Sequence, residues 1–313
     1  MVRKKSKTPL PEGEDRMLVP EGLIIRPPSE AGSLLLRVVR GCHWNRCKFC
    51  GIYDLYEQPF ELRPLEDVLR DIELLKLYWG DRAESAFLGD ADPLERPVEF
   101  LVPILDRLRQ VFPTLGRITA YARASSLYRK SVEELRELAA HGLSRVHVGL
   151  ESGCDEVLRF HRKGASQRIL IEAGRRVRAA GMELSFYVLL GLGGRKHWEA
   201  HARDSAHVIN ETAPEFIRIR RLWIHPLSRL AREVKAGTFA EQTPEGTVRE
   251  LRLLIEKVLV DGPTLLCDHA NNYLPVHGRF QHDRDRMLAE IDGFLARPQA
   301  ARDKHYASVG SVI

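Results

Sequence analysis

The stretch RVHVGLESGCDEVLRFHRKGASQRILIEAGRRVRAAGMELSFYVLL, residues 145–190, sets the architecture. Residues 145–150 follow the two-residue period of a strand. Val146, Val148 and Leu150 share one face, and His147, Gly149 and Glu151 share the other. Residues 167–180 carry a helical pattern that Gly181 stops. Residues 183–190 form the next strand, with Phe186, Val188 and Leu190 opposite Ser185, Tyr187 and Leu189. Strand, helix, strand over this length is one βαβ unit, with parallel strands and a right-handed crossover.

The same alternation extends in both directions. Strands are expected at 34–39, 85–88, 118–122 and 215–223. Helices are expected at 64–79, which opens on Pro64 and stops at Gly80, and at 98–111 and 197–211. Ser131 with Glu134 forms a capping box for one more helix, running to about His141 and stopped by Gly142. A closed eightfold barrel takes about 250 residues. Six units in this span predict an α/β fold with an open, partial (βα)6 TIM-like barrel. Residues 1–30, rich in Pro, Gly and charge, read as an extended basic arm. The barrel is expected over 31–230. Residues 231–313 form a mainly helical C-terminal extension that caps it, with one clear helix at 248–260.

Strand alternation assigns the lumen. The apolar faces should pack on the helices, which turns Thr119, Tyr121, Arg123, His147, Glu151, Ser185, Tyr187, Arg218 and Arg220 inward. Buried charge requires partners or a ligand, so the barrel interior reads as a polar site. Arg218 and Arg220 suit an anionic substrate, or they pair with acids of the lumen. In the extension, His269 stands among Asn271, Asn272 and Tyr273, close enough in sequence to cap the mouth and touch substrate.

With 313 residues, 44% of them hydrophobic, the chain has ample core material. No apolar run approaches the roughly 20 residues of a membrane span. The segment 1–16 is charged and lacks the apolar core of a signal peptide. Arg3, Lys4, Lys5 and Lys7 supply most of the net charge of +5. The tail therefore reads as a solvated arm rather than a nucleic-acid or membrane contact. Five cysteines, an odd number with three inside nine residues, argue against a secreted disulfide framework. A cytoplasmic, reducing location is expected.

Those three are Cys42, Cys47 and Cys50, in a loop that follows the first strand and so lies at the C-terminal mouth of the barrel. Three thiolates on one short loop suit a cubane iron–sulfur cluster with one iron left open. The alternatives are a structural zinc site, with His43 or a distant residue as fourth ligand, or plain buried cysteines.

On Cys42, Cys47 and Cys50, with Phe49 before the last, the chain resembles the radical S-adenosylmethionine (SAM) enzymes over roughly residues 33–229. One departure stands out: the spacing is C-x4-C-x2-C, where C-x3-C-x2-C is commonest in that family. The resemblance implies a [4Fe-4S] cluster and SAM as cofactors. It implies reductive cleavage of SAM to a 5′-deoxyadenosyl radical, and a reductant such as flavodoxin or ferredoxin. Gly89, Asp90 and Asp92 occupy the place of the Gly-Gly-Glu-Pro motif that meets the methionine amino group. Glu151 falls where the family reaches the SAM ribose. Lys163, in preference to Arg162, falls where a cation meets the methionine carboxylate, and Gly191 lies at the adenine-side turn. The overall pattern is similar to the group holding the oxygen-independent coproporphyrinogen oxidases and tRNA-modifying enzymes. Cys154 and Cys267 are too few for a second cubane. The remaining alternative is a non-catalytic zinc or iron–sulfur protein for binding or electron transfer.

Overall fold

A computed structural model describes residues 25–310. Its main sheet has eight strands: β1 Leu34–Arg37, β4 Ser85–Gly89, β5 Arg117–Ala122, β6 Leu143–Glu151, β7 Glu183–Leu190, β8 Phe216–Arg221, β9 Thr264–Leu266 and β10 His277–Arg279, hydrogen-bonded in that order. All pairs from β1 to β9 are parallel, and β10 closes the edge antiparallel. The first six strands and the helices between them are an open (βα)6 barrel. The crossovers use α2 Leu65–Trp79, α3 Val98–Val111, α5 Val132–Ala140, α7 Gln167–Ala179 and α8 Gly194–Thr212. The capping box on Ser131 and Glu134 is present.

The alternation read from β6 is the alternation observed. Val146, Val148 and Leu150 are sealed under the helices with the other outward apolar residues. His147 points into the lumen, within about ring-contact range of Phe87, Tyr121 and Tyr187 at 6.2, 6.2 and 6.3 Å.

Several details differ from expectation. The strand expected at 34–39 breaks at Val38. Val39–Arg40 (β2) leaves the barrel and pairs antiparallel with Glu61–Leu62 (β3), which frames the cysteine loop. Of the extended arm expected at 1–30, residues 1–24 lie outside the described residues, and Pro28–Glu30 is a 3-10 turn. That turn buries Glu30 completely beneath the barrel. Glu30 accepts from Nε2 of His147 at 3.1 Å, from Ser33 Oγ at 2.7 Å and from Arg117 at 3.1 Å. Burial pushes the Glu30 carboxyl up, but His147, Ser33 and Arg117 together outweigh it and hold the group down at about 2. Burial lowers the His147 pKa against the pull of Glu30, and Nε2 is the nitrogen that faces the carboxylate.

The extension beyond 230 is mainly helical, as expected, and adds two short strands, β9 and β10, that prolong the barrel sheet. Its helices are α10 Pro244–Lys257, α11 Phe280–Leu295 and α12 Gln299–Ser308. The helix expected at 248–260 starts earlier, because Thr243 caps it through the Gly246 N–H and Pro244 fits its first turn. Short helices α1 Ile52–Leu55, α4 Ala124–Arg129, α6 Asp155–Phe160 and α9 Arg229–Lys235 fill the rim. No described helix is long and apolar enough to cross a membrane.

Candidate active site

The cysteine loop is shaped from below by Asp90. One carboxylate oxygen accepts from the Gly41 N–H at 2.9 Å and the other from Arg37 Nε at 3.2 Å. Gly41 has φ +68°, and a Cβ there would lie 2.7 Å from the Pro59 carbonyl, so only glycine turns the chain here. Gly89 joins the brace through its carbonyl, which accepts from Val38 at 2.6 Å. Of the residues expected to meet SAM, Asp90 therefore has both oxygens engaged by protein.

Asp92 is buried one turn further on. It accepts from the Arg123 N–H at 3.0 Å and from Ser126 Oγ at 2.6 Å, and burial pushes it up to about 6. Glu95, which the sequence reading passed over, accepts from the same hydroxyl at 2.9 Å. His43 lies between these two acids, with Nδ1 3.6 Å from Asp92 and Nε2 3.6 Å from Glu95.

Cys42, Cys47 and Cys50 are free thiols of intermediate exposure. Burial pushes Cys50 up to about 11, and the charges of Cys47 and Cys42 add to it. Cys47 is also raised by burial, against the pull of Lys163 and Arg123. Cys47 and Cys50 thus both sense Cys42 and the Lys163 ammonium. The longer first spacing is taken up by a turn at Asn45, with φ +31° and its N–H directed at Cys42 Sγ, 3.5 Å away. Asp54 accepts from the Asn45 side chain at 2.7 Å, and Arg229 donates to the Asn45 carbonyl at 2.6 Å, which pins that turn.

A second loop meets the first. Trp44 Nε1 donates to the Arg162 carbonyl at 2.7 Å, and Arg123 donates to the Lys163 carbonyl at 2.7 Å while lying over the Trp44 ring. Gly164 completes the seat, since a Cβ there would come within 2.5 Å of Trp44. Lys163 turns inward and pairs with Glu151 at 3.1 Å. Glu151 has φ +61° at a bulge in β6, which lays its carboxylate over Gly149. The Arg162 side chain is exposed, so only its backbone serves this arrangement.

Gly191, with φ +85°, donates its N–H to Glu250 of α10 at 2.8 Å. Glu250 also lies 3.1 Å from His201 Nε2, whose Nδ1 is 2.8 Å from Ser152 Oγ. All three side chains are completely buried. Neither Glu30 nor Glu250 stood out in the sequence, because each meets its partners across long loops. Arg218 and Arg220 face the lumen from β8. His269, in the extension, reaches Arg220 at 3.1 Å.

Three free thiols on one loop fit a cubane with one open iron. A zinc site would need a fourth donor. His43 has both nitrogens facing carboxylates, and Cys154 and Cys267 are buried elsewhere, Cys267 donating to the Leu274 carbonyl at 3.1 Å.

The sequence profile of the radical SAM superfamily matches residues 36–204, more than half of the chain. The chain belongs to the radical SAM superfamily. Membership brings that superfamily's cofactors, a [4Fe-4S] cluster and SAM. A curated relative, 4′-phospho-dehydrooxetanocin synthase of Priestia megaterium, is 27% identical over 172 residues, covering 49% of this chain and 22% of the relative. Among solved structures, coproporphyrinogen III oxidase (HemN) from Escherichia coli superposes with TM-score 0.56 at 17% identity, over 72% of this chain and 51% of that one. The methyltransferase TsrM from Kitasatospora setae, with cobalamin and a [4Fe-4S] cluster bound, gives TM-score 0.52 at 19% identity, over 66% of this chain and 40% of that one. The radical SAM fold is thus shared. The chain spans about a fifth of the curated relative's length, about half of the HemN structure and about two fifths of the TsrM structure.

Proposed function

We propose that this radical SAM enzyme cleaves SAM reductively and directs the resulting radical at an anionic substrate held in the barrel lumen. The observation that carries the reading is the grouping of Cys42, Cys47 and Cys50, all free, on one rim loop beside the inward pair Lys163–Glu151. Bound there, the cluster and SAM supply one-electron cleavage of the sulfonium, giving methionine and a 5′-deoxyadenosyl radical able to remove a substrate hydrogen atom.

The chain's own residues have distinct tasks. The three cysteines hold the cluster and leave one iron without a protein ligand. Lys163 and Glu151 bind the charged and hydroxyl groups of SAM. Asp90 and Asp92 shape the rim, and Gly89 and Gly191 bring backbone close to the cofactor. Trp44 and Phe49 exclude water. The electron comes from a small reductant of the flavodoxin or ferredoxin class, in a reducing cytoplasm.

The test is anaerobic reconstitution with iron and sulfide. The expected product is brown, holds about four irons per chain, and converts SAM to 5′-deoxyadenosine and methionine when reduced. Cys47→Ala should lose iron and cleavage together. A colourless protein holding one zinc, or a Cys47→Ala variant that still cleaves SAM, overturns the reading.

A further inference from the structure

We infer that Arg218 and Arg220 form the docking site for a phosphate monoester carried by the substrate. This rests on the radical SAM reading above and names the substrate class for the same lumen.

The two residues stand at i and i+2 on β8, roughly 6.6 Å apart along the strand, on its inward face. Among the described residues, neither has a carboxylate within ion-pair distance. Other cations of the barrel do: Arg117 meets Glu30 at 3.1 Å, and Lys163 meets Glu151 at 3.1 Å. Arg218 is 6% exposed, and its one hydrogen bond to the protein runs from Nε to Ser185 Oγ at 3.2 Å. A guanidinium removed from water and left without an anion is unfavourable.

Arg220 is held without being neutralised. It donates to Nε2 of His269, and Nδ1 of that ring stands 2.6 Å from Asn271 Oδ1. Nε2 must therefore offer a lone pair while Nδ1–H donates, which makes His269 neutral. Burial and the charge of Arg220 both keep His269 from protonating. The loop of the extension thus aims one guanidinium while leaving its charge free.

Tyr187 stands opposite Arg218 on β7, and among the described residues its buried hydroxyl has no partner. The Arg220 guanidinium lies 5.6 Å from its ring, and both arginines act on its charge. Two guanidinium groups without an ion-pair partner among the described residues, with Glu30 and Asp268 acting on the same tyrosine only at longer range, and a buried O–H donor match a group with two negative charges and several acceptor oxygens. A phosphate monoester has both near neutral pH, whereas a single carboxylate would leave one arginine unmatched. The pair shares the lumen with the cysteine loop. Both arginines and Glu151 act on Tyr121, while Tyr121, Cys42 and Cys50 act on Tyr53. A substrate anchored at β8 would extend its remaining atoms toward the rim.

The experiment titrates the reconstituted protein with inorganic phosphate and with acetate, in a chloride buffer at pH 7.5, by calorimetry with and without SAM. Phosphate should bind at one saturable site in both conditions, at least tenfold more tightly than acetate. Arg218→Gln and Arg220→Gln should each weaken phosphate at least tenfold, and Tyr187→Phe, which keeps the ring, about threefold. Iron content and visible absorbance report that each variant is folded and loaded. Phosphate affinity unchanged in both arginine variants overturns the proposal. Acetate bound as tightly as phosphate overturns it too, as does complete displacement of phosphate by SAM, which would give the arginines to the methionine carboxylate. A colourless chain that binds phosphate through Arg220 would support this site while refuting the radical chemistry.

Discussion

Nζ of Lys163 stands 3.1 Å from Oε1 of Glu151, and the pair fills the space over Gly149 where any side chain would sit. A Cβ at Gly149 would come 2.2 Å from the carboxylate and 2.8 Å from the ammonium. The positive φ of Glu151 and the bulge beside it have the same consequence: they turn a strand-end carboxylate back onto the lumen face. Gly149→Ala should therefore displace both charges. We expect a stability loss of about 1–3 kcal/mol, typical of overpacking, and SAM binding at least tenfold weaker by equilibrium dialysis. SAM affinity at the wild-type level would show that the pair does not hold the cofactor.

His43 separates the iron–sulfur reading from the zinc reading. Its two nitrogens face Asp92 and Glu95, each at 3.6 Å, so His43→Ala should leave iron and sulfide content at wild-type levels after reconstitution. Metal analysis decides this. Loss of metal in that variant would make the histidine a ligand.

Glu30 should mark acid unfolding. Its carboxyl is held at about 2, below an ordinary 4.5. A depressed carboxyl stabilises the fold fully above pH 4.5 and loses that contribution as pH falls toward 2. Glu30→Gln should be less stable than wild type by about 2 kcal/mol at pH 6, and the gap should narrow by pH 3. Denaturant unfolding at the two pH values measures it. Parallel curves would show that the plug beneath His147 contributes nothing.

Glu250 ties the extension to the rim. Glu250→Ala leaves the Gly191 N–H without its buried acceptor and removes the carboxylate that lies 3.1 Å from His201 Nε2, at a cost of about 3 kcal/mol. The Gly191 turn should loosen, and SAM affinity should fall with it. Chemical denaturation and SAM binding measured on the same preparation test both parts. Lost stability with unchanged SAM affinity would separate the turn from the cofactor.

Much of the barrel was legible because its signals are local. The two-residue period of 145–150, the Gly181 stop and the Ser131–Glu134 capping box each act within a few residues, and the structure keeps all three. The break at Val38 was not legible, because β2 leaves the sheet to meet a partner some 20 positions away. The short strands β9 and β10 were missed for the same reason. Three residues carry little periodicity, and their place is set by the open edge of β8.

At the site, the spacing of Cys42, Cys47 and Cys50 is itself the signal, since a thiol trio on a short loop brings its sulfurs together whatever surrounds it. Motif position could not say which acids remain available. Asp90 matches the SAM motif in sequence, yet both its oxygens are engaged by Gly41 and Arg37.

The sequence by itself therefore determined the parallel alternation, the inward face of each long strand and the thiol trio, because backbone period and loop length are properties of neighbouring residues. Only the tertiary structure decided that Glu30 seals the lumen floor, that Glu250 anchors Gly191, and that Arg218 and Arg220 meet no carboxylate within ion-pair distance among the described residues. Those outcomes depend on which groups meet across 33 to 117 positions of chain, and burial then sets their environment.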